Sequence, residues 1–301
     1  METKQLILQF KQQHNAIIAA HTYQSPEVQE VADIVGDSFA LAQKAAASPA
    51  KTVLVCGVRF MAEGIKILAP DKRVILVEPQ ADCPMARQIL PERVQEFRKQ
   101  NPDYAVVAYI NTTAELKAVC DVCVTSSSAV KIVKALPQQN ILFIPDQNLG
   151  DYVRHQVPEK NIVTWTGYCP VHHTVTAADI AAAKAQYPRA KVAIHPECVP
   201  EAVALADMVG STAAIIDYIN STDEQVIVVT ERGVVDKLSA DHPDRLIQLC
   251  PEKLVCPDMK RTTLSSIAAA IDGTGGDEII MTEDMMDAAR SSLTNMLRYG
   301  G

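Results

Sequence analysis

The chain contains no apolar run that reaches the roughly 18 residues of a membrane-spanning helix. Its first residues, METKQLILQFKQQHN, have the pattern of an amphipathic helix and lack the layout of a signal peptide. Positive charge is also in short supply: 28 Lys and Arg stand against 36 Asp and Glu, for a formal net charge of -8 and a pI near 5.4. A nucleic-acid or anionic-membrane partner needs a basic face to displace counterions, so neither is expected. A small anion held in a local pocket stays open. These absences together point to a cytoplasmic protein.

Aromatic residues make up only 5% of the chain, whereas hydrophobic residues make up 48% and charged ones 21%. Such an Ala, Val and Ile-rich composition is typical of parallel-sheet α/β folds and argues against disorder. At 301 residues the usual domain size predicts two or three domains. The eight cysteines of a cytoplasmic chain stay reduced, so a thiol with a purpose is a metal ligand or a nucleophile before it is half of a disulfide.

One unit is written three times. AIIAAHTYQSPEVQEVADIVGDSFALAQK, AVVAYINTTAELKAVCDVCVTSSSAVKIVK and VAIHPECVPEAVALADMVGSTAAIIDYI align, with Asp33, Asp121 and Asp207 marking the register. The second half of each unit repeats as well, as TVLVCGVRFMAEGIKILAPDKRVILV, NILFIPDQNLGDYVRHQVPEKNIVTW and QVIVVTERGVVDKLSADHPDRLIQL. After these come DCPMA, YCPVH and VCPDM, so Cys83, Cys169 and Cys256 share one phase of the repeat and each precedes a proline. Cys250-Pro251 shows that the dipeptide also occurs out of phase.

Short apolar runs alternating with helix-period stretches indicate βαβ units with parallel strands. The expectation is an α/β protein of three homologous αβα sandwich domains around a pseudo-threefold axis, spanning 1–86, 87–172 and 173–261. Each opens on a helix and carries about four strands. Residues 262–301 are expected to pack on the first unit or to help cover the site.

In open α/β sheets the ligand lies beyond the carboxyl ends of the strands. Those ends carry His21, Tyr109 and His195 at one aligned position, and Tyr23, Asn111 and Glu197 two residues on. Ser38, Ser126 and Thr212 open helices, where hydroxyls and free N–H groups can hold carboxylate or phosphate oxygens, or simply cap the helix. Around a threefold axis these sets converge on one central cavity, with the three thiols closing its end.

Three cysteines without an aligned fourth leave a metal centre an open position. Zinc with a fourth ligand is one reading. The other is a 4Fe-4S cluster whose fourth iron is free to act as a Lewis acid. Glu197 is the one carboxylate among the strand-end positions, and burial is expected to raise its pKa toward that of a general base. His21, His172 and His195 can bind anions or pass protons. Cys120 and Cys123 form a C-x-x-C, but inside a helix-to-strand segment they read as packing, as does Cys56.

The motifs AHTYQ, CGVRFMAEG, DCPMA, AYINT, TSSSA, PDQNLG, GYCPVH, HPEC, GST and CPDMK together make the chain resemble the quinolinate synthase family over essentially its whole length. The resemblance implies a 4Fe-4S cluster on Cys83, Cys169 and Cys256, and the conversion of iminoaspartate and dihydroxyacetone phosphate to quinolinate, phosphate and two waters in NAD biosynthesis. It implies binding or catalytic roles for His21, Tyr23, Ser38, Tyr109, Asn111, Ser126, His172, His195, Glu197 and Thr212. Glu197, Tyr23, Tyr109 and His195 are the expected catalytic residues, and L-aspartate oxidase is a metabolic neighbour. Some members carry a tight C-x-x-C-x-x-C around the third ligand, whereas here five residues separate Cys250 from Cys256, so thiol–disulfide control is not carried over. Two rival readings are an aconitase-like iron–sulfur hydro-lyase and a non-catalytic metal- or anion-binding protein.

Overall fold

A computed structural model describes residues 2–300. The first unit runs α1 (Glu2–Gln13), β1 (Ala16–His21), α2 (Pro26–Val31), β2 (Ile34–Gly36), α3 (Ser38–Ala47), β3 (Thr52–Cys56), α4 (Arg59–Leu68) and β4 (Arg73–Leu76). The second repeats the order as α5 (Pro91–Gln100), β5 (Tyr104–Tyr109), α6 (Ala114–Lys117), β6 (Val122–Val124), α7 (Ala129–Ala135), β7 (Asn140–Ile144), α8 (Gln147–Gln156) and β8 (Asn161–Thr164). The third does so as α9 (Ala177–Gln186), β9 (Lys191–Ile194), α10 (Pro200–Val203), β10 (Met208–Val209), α11 (Thr212–Ser221), β11 (Val226–Val229), α12 (Gly233–Leu238) and β12 (Leu246–Gln248). A tail adds α13 (Leu264–Asp272), β13 (Asp277–Glu278) and α14 (Glu283–Gly300).

Within each unit the strands lie in the same spatial order, second, first, third, fourth, and all pair in parallel. The fold is therefore α/β with three parallel sheets, as the repeat predicts. Side chains alternate across each strand, and both faces are covered. In the first sheet Ile18, Leu54 and Ile75 meet Ile7 and Ile267 on one face, while Ala19, Val53, Val55 and Val74 meet Leu41 and Ile65 on the other. Sheets buried on both faces read as continuous apolar runs, which is why TVLVC and VIVV carry no polar alternation.

The aspartates that mark the repeat have one local job in every unit. Asp33, Asp121 and Asp207 accept from the backbone N–H of Ile18, Val106 and Val192 at 2.8, 2.7 and 2.9 Å. Each also pairs with a basic residue of the unit's opening helix: Lys11 at 2.8 Å, Arg98 at 2.6 Å and Lys184 at 3.5 Å. The carboxylate thus ties helix, first strand and second strand into one register, and it recurs because the register recurs.

The tail divides between the first unit, where it is expected, and the second. α13 packs on α1, and β13 adds an antiparallel strand to β4 at the edge of the first sheet, tied by Arg59–Asp277 at 2.7 Å and Arg73–Glu278 at 2.8 Å. α14, however, lies mainly against α6 and β6 of the second unit, with lesser contacts to α7 and to α4 of the first. Its Met286, Ala289, Leu293 and Met296 are buried in the core around the second sheet, a stripe at helical spacing that has to find apolar cover there. Among the described residues no helix is long and apolar enough to cross a membrane.

Candidate active site

β1, β5 and β9 are inner strands, each lying between the second and third strands of its sheet, where the strand order reverses. Their carboxyl ends open onto one shared cavity. His21 and Tyr109 end their strands and His195 directly follows β9. All three line the cavity, as do Tyr23, Asn111 and Glu197 two residues further on. Ser38, Ser126, Thr212 and His172 line it too, and so do Cys83, Cys169 and Cys256. Every residue expected at the site thus lines the same space.

His21 and His195 are held alike. The Nδ1 of His21 accepts from Tyr23 N at 3.1 Å, and that of His195 accepts from Glu197 N at 3.3 Å. An Nδ1 that accepts is unprotonated, which leaves Nε2 as the N–H donor of a neutral ring. Burial favours the same form, lowering both imidazoles to about 4.

Glu197 and Tyr23 lie at opposite ends of a hydrogen-bonded line. His172 Nδ1 is 2.7 Å from Glu197 Oε2, and its Nε2 is 3.0 Å from Thr230 Oγ1. Thr230 is in turn 3.1 Å from the Tyr23 hydroxyl, which is 2.6 Å from Thr212 Oγ1. The Tyr109 hydroxyl bonds to the Glu197 carboxylate. Burial works to raise the Glu197 carboxyl, but the imidazoles of His195 and His172 and the bonds from His172 and Tyr109 outweigh it, so the group sits below the usual carboxylate range. The expectation of a raised pKa is thereby corrected: burial alone was weighed, without the imidazoles that the fold brings against it. Burial, with the charge on Glu197, pushes both tyrosines up, so their hydroxyls stay protonated.

The helix-opening hydroxyls are not the caps. Asp37 caps α3, accepting from Phe39 N and Ala40 N, and Ser211 caps α11, accepting from Ala214 N. Thr125 and Ser128 bond each other. Ser38 and Thr212 stand one residue inside their helices and Ser126 lies in the turn before α7, so none of the three is consumed by capping. No lysine or arginine lines the cavity among the described residues. An anion there meets neutral donors and the N-termini of α3 and α11, alongside the carboxyl groups of Asp37, Glu197, Glu231 and Asp258 on the same lining.

Each of the three Cys-Pro cysteines begins a tight turn whose third N–H faces the sulfur: Ala86 toward Cys83, His172 toward Cys169, and Met259 toward Cys256. N–H groups aimed at sulfur favour the thiolate and suit iron–sulfur ligation. Against this, burial without a metal raises Cys83 to about 12 and Cys256 to about 11, so loading a metal must release protons. Three thiols from three units line one cavity, each with an N–H from the residue three positions on, a donor set whose chemistry fits a metal cluster. Cys169 Sγ, His172 and Glu197 also form a tighter group, all within 4.8 Å.

The other cysteines stand apart. Cys56, Cys120, Cys123 and Cys198 are buried and unpaired, with Cys120 donating to Leu116 O and Cys123 to Ser292. Cys250 turns to Asp179 at 3.5 Å.

Three participants lay outside the sequence reading. Thr230 links His172 to Tyr23. Glu231, fully buried, accepts from Cys256 N at 3.2 Å and pairs at 3.1 Å with Lys260, whose Nζ donates to Tyr23 O at 2.5 Å. Asp146, equally buried, accepts from Asn148 N and Leu149 N, and burial and the charge on Glu197 push its carboxyl well up. Asp146 and Glu231 both lie two residues past the third strand of their sheets. The repeat register could have found them, had strand ends other than the first two been compared.

The family model described as "Quinolinate synthetase A protein" matches residues 5–298. A protein of Caldicellulosiruptor bescii named quinolinate synthase is 45% identical over 298 residues, covering 99% of this chain and 98% of its own length. Proteins of the same name from Clostridioides difficile and Aquifex aeolicus are each 43% identical, covering 96% and 98% of this chain and 95% and 94% of their own lengths.

Proposed function

The chain belongs to the quinolinate synthetase A protein family, and on that premise we propose that it is a quinolinate synthase. In this reading it joins iminoaspartate to dihydroxyacetone phosphate and releases quinolinate, phosphate and two waters, a carbon–carbon bond-forming transfer with dehydration. It acts in the cytoplasm, in the building of NAD. The observation that carries the reading is the convergence of Cys83, Cys169 and Cys256, from three separate sheets, on the cavity that also holds Glu197, Tyr23 and Tyr109.

Cys83, Cys169 and Cys256 would hold a 4Fe-4S cluster, which would supply Lewis-acid chemistry toward a carbon–oxygen bond. The rest falls to the chain. Ser38, Ser126 and Thr212 offer hydroxyls to the phosphate, with two helix N-termini behind them. His21, His195 and Asn111 offer N–H donors to the carboxylates, while both ring nitrogens of His172 are engaged by Glu197 and Thr230. Glu197, ionised and bonded to His172, accepts a proton from carbon or nitrogen. Tyr23 and Tyr109 keep their protons and return them to oxygen, and the line through Thr230 and His172 lets a proton move between Tyr23 and Glu197.

The compact group of Cys169, His172 and Glu197 favours a second reading, a single zinc ion and no catalysis. Anaerobic purification followed by iron, sulfide and zinc analysis separates the two. Iron and sulfide in equal amounts, with quinolinate formed from the two substrates, is the expected result. Zinc without iron overturns the proposal, and a dehydration that ignores dihydroxyacetone phosphate moves it to a hydro-lyase of the aconitase type.

A further inference from the structure

Each first strand hands over to a short loop whose middle residue faces the cavity: Thr22-Tyr23-Gln24, Ile110-Asn111-Thr112 and Pro196-Glu197-Cys198. The direction of that middle side chain is set by the two peptide groups around it. In the first unit Gln29 Nε2 donates to the carbonyls on both sides of Tyr23, Thr22 O at 3.0 Å and Gln24 O at 2.9 Å. In the second, Lys117 Nζ does the same around Asn111, donating to Ile110 O at 2.9 Å and to Thr112 O. Gln29 and Lys117 occupy the same place in the repeat, six residues beyond the residue they serve.

In the third unit that place is Val203, which has no donor. The grip comes from the neighbouring unit instead: Asn148 Nδ2, on α8 of the second unit, donates to Glu197 O at 2.8 Å. Asn148 is itself anchored, since its N–H donates to the buried Asp146 carboxylate at 2.8 Å and its amide contacts His173 Nδ1 at 3.0 Å. Burying polar ends costs free energy unless they are bonded, and burying a charge costs more. The Lys117 side chain is completely buried, where a methionine of similar length would fill the space without that cost. The two carbonyl bonds are what its ammonium gives in return.

We propose that Gln29, Lys117 and Asn148 are positioning residues that aim Tyr23, Asn111 and Glu197 into the cavity. Glu197 is aimed from the neighbouring unit, so its direction depends on how the second and third units dock. The inference rests on the roles given to these three side chains above.

The test uses the cluster-loaded enzyme with Gln29→Leu, Lys117→Met, Lys117→Gln and Asn148→Ala. Losing one such grip is expected to change the affected constant by about tenfold or more. Lys117→Met and Gln29→Leu raise KM. Asn148→Ala lowers kcat instead, because the group it serves accepts the proton. Lys117→Gln recovers most of the loss, since Gln29 makes the same two bonds in the first unit. Iron content stays at the wild-type level throughout.

Hydrogen exchange judges the aim without turnover. Lys117→Met speeds exchange around 110–112 and Asn148→Ala around 196–198, each by roughly tenfold. Wild-type kinetics and wild-type exchange in these variants overturn the inference. So does a Lys117→Gln enzyme as impaired as Lys117→Met, because charge and not the two-carbonyl grip then matters. If Lys117→Met fails to fold, the half-buried Gln29 carries the comparison. An inactive wild type defeats the functional reading alone, and the exchange data still decide this one.

Discussion

The ring of His172 joins the second unit to the third: its Nδ1 stands 2.7 Å from Glu197 Oε2, with both side chains buried. A carboxylate so held is ionised and pointed, two requirements for accepting a proton at a chosen atom. Glu197→Gln keeps the shape and removes the acceptor. The rate of quinolinate formation is expected to fall roughly a hundredfold or more, with the visible absorbance of the cluster unchanged. A variant within a few-fold of wild type takes Glu197 out of the mechanism.

Single replacement of Cys83, Cys169 or Cys256 by Ala is expected to abolish both bound iron and turnover. Cys250→Ala serves as the contrast, because its sulfur turns to Asp179 at 3.5 Å and not to the cavity. Iron analysis of the four variants checks the assignment; full iron in the Cys169 variant contradicts it.

Acid sensitivity follows from His21 and His195, which burial lowers from 6.5 to about 4. Because the unfolded chain binds these protons more readily, the contribution of the neutral rings is complete above pH 6.5 and is lost as pH falls toward 4. Each ring is worth on the order of 3 kcal/mol over that window. Urea unfolding at pH 7.5 and pH 5 should show a smaller drop for His21→Gln than for wild type. Equal drops would mean that His21 titrates normally.

Asp121→Ala removes the acceptor for Val106 N, whose bond to the carboxylate is 2.7 Å. The exposed pair with Arg98 adds little, so the expected loss is that of an unsatisfied backbone donor, about 1–3 kcal/mol. Asp121→Asn retains an acceptor and should recover most of the melting temperature. If Asn is no better than Ala, the charge rather than the backbone bond sets the register.

The sequence disclosed what repetition disclosed. Three aspartates in phase gave the strand register, and three Cys-Pro pairs in phase gave the cavity wall, because a fold that repeats its backbone repeats the side chains that shape it. What stood alone stayed hidden. Thr230 and Asn148 act on residues 58 and 49 positions away along the chain, and no local pattern announces such contacts. Glu197 was read as a buried carboxyl with a raised pKa, since the two imidazoles against it arrive only with the tertiary fold. For residues 262–301 the expectation named the first unit, whereas α14 finds most of its cover on the second, a choice of partner that only the tertiary fold makes.

β13 has a consequence for biosynthesis. During synthesis the first sheet keeps β4 as an open border until residues 277–278 follow and seal it, and an open border is a template for pairing with other chains. Nascent molecules therefore carry this unguarded flank while the second and third units are made, and stalling before the tail is translated should leave products prone to self-association.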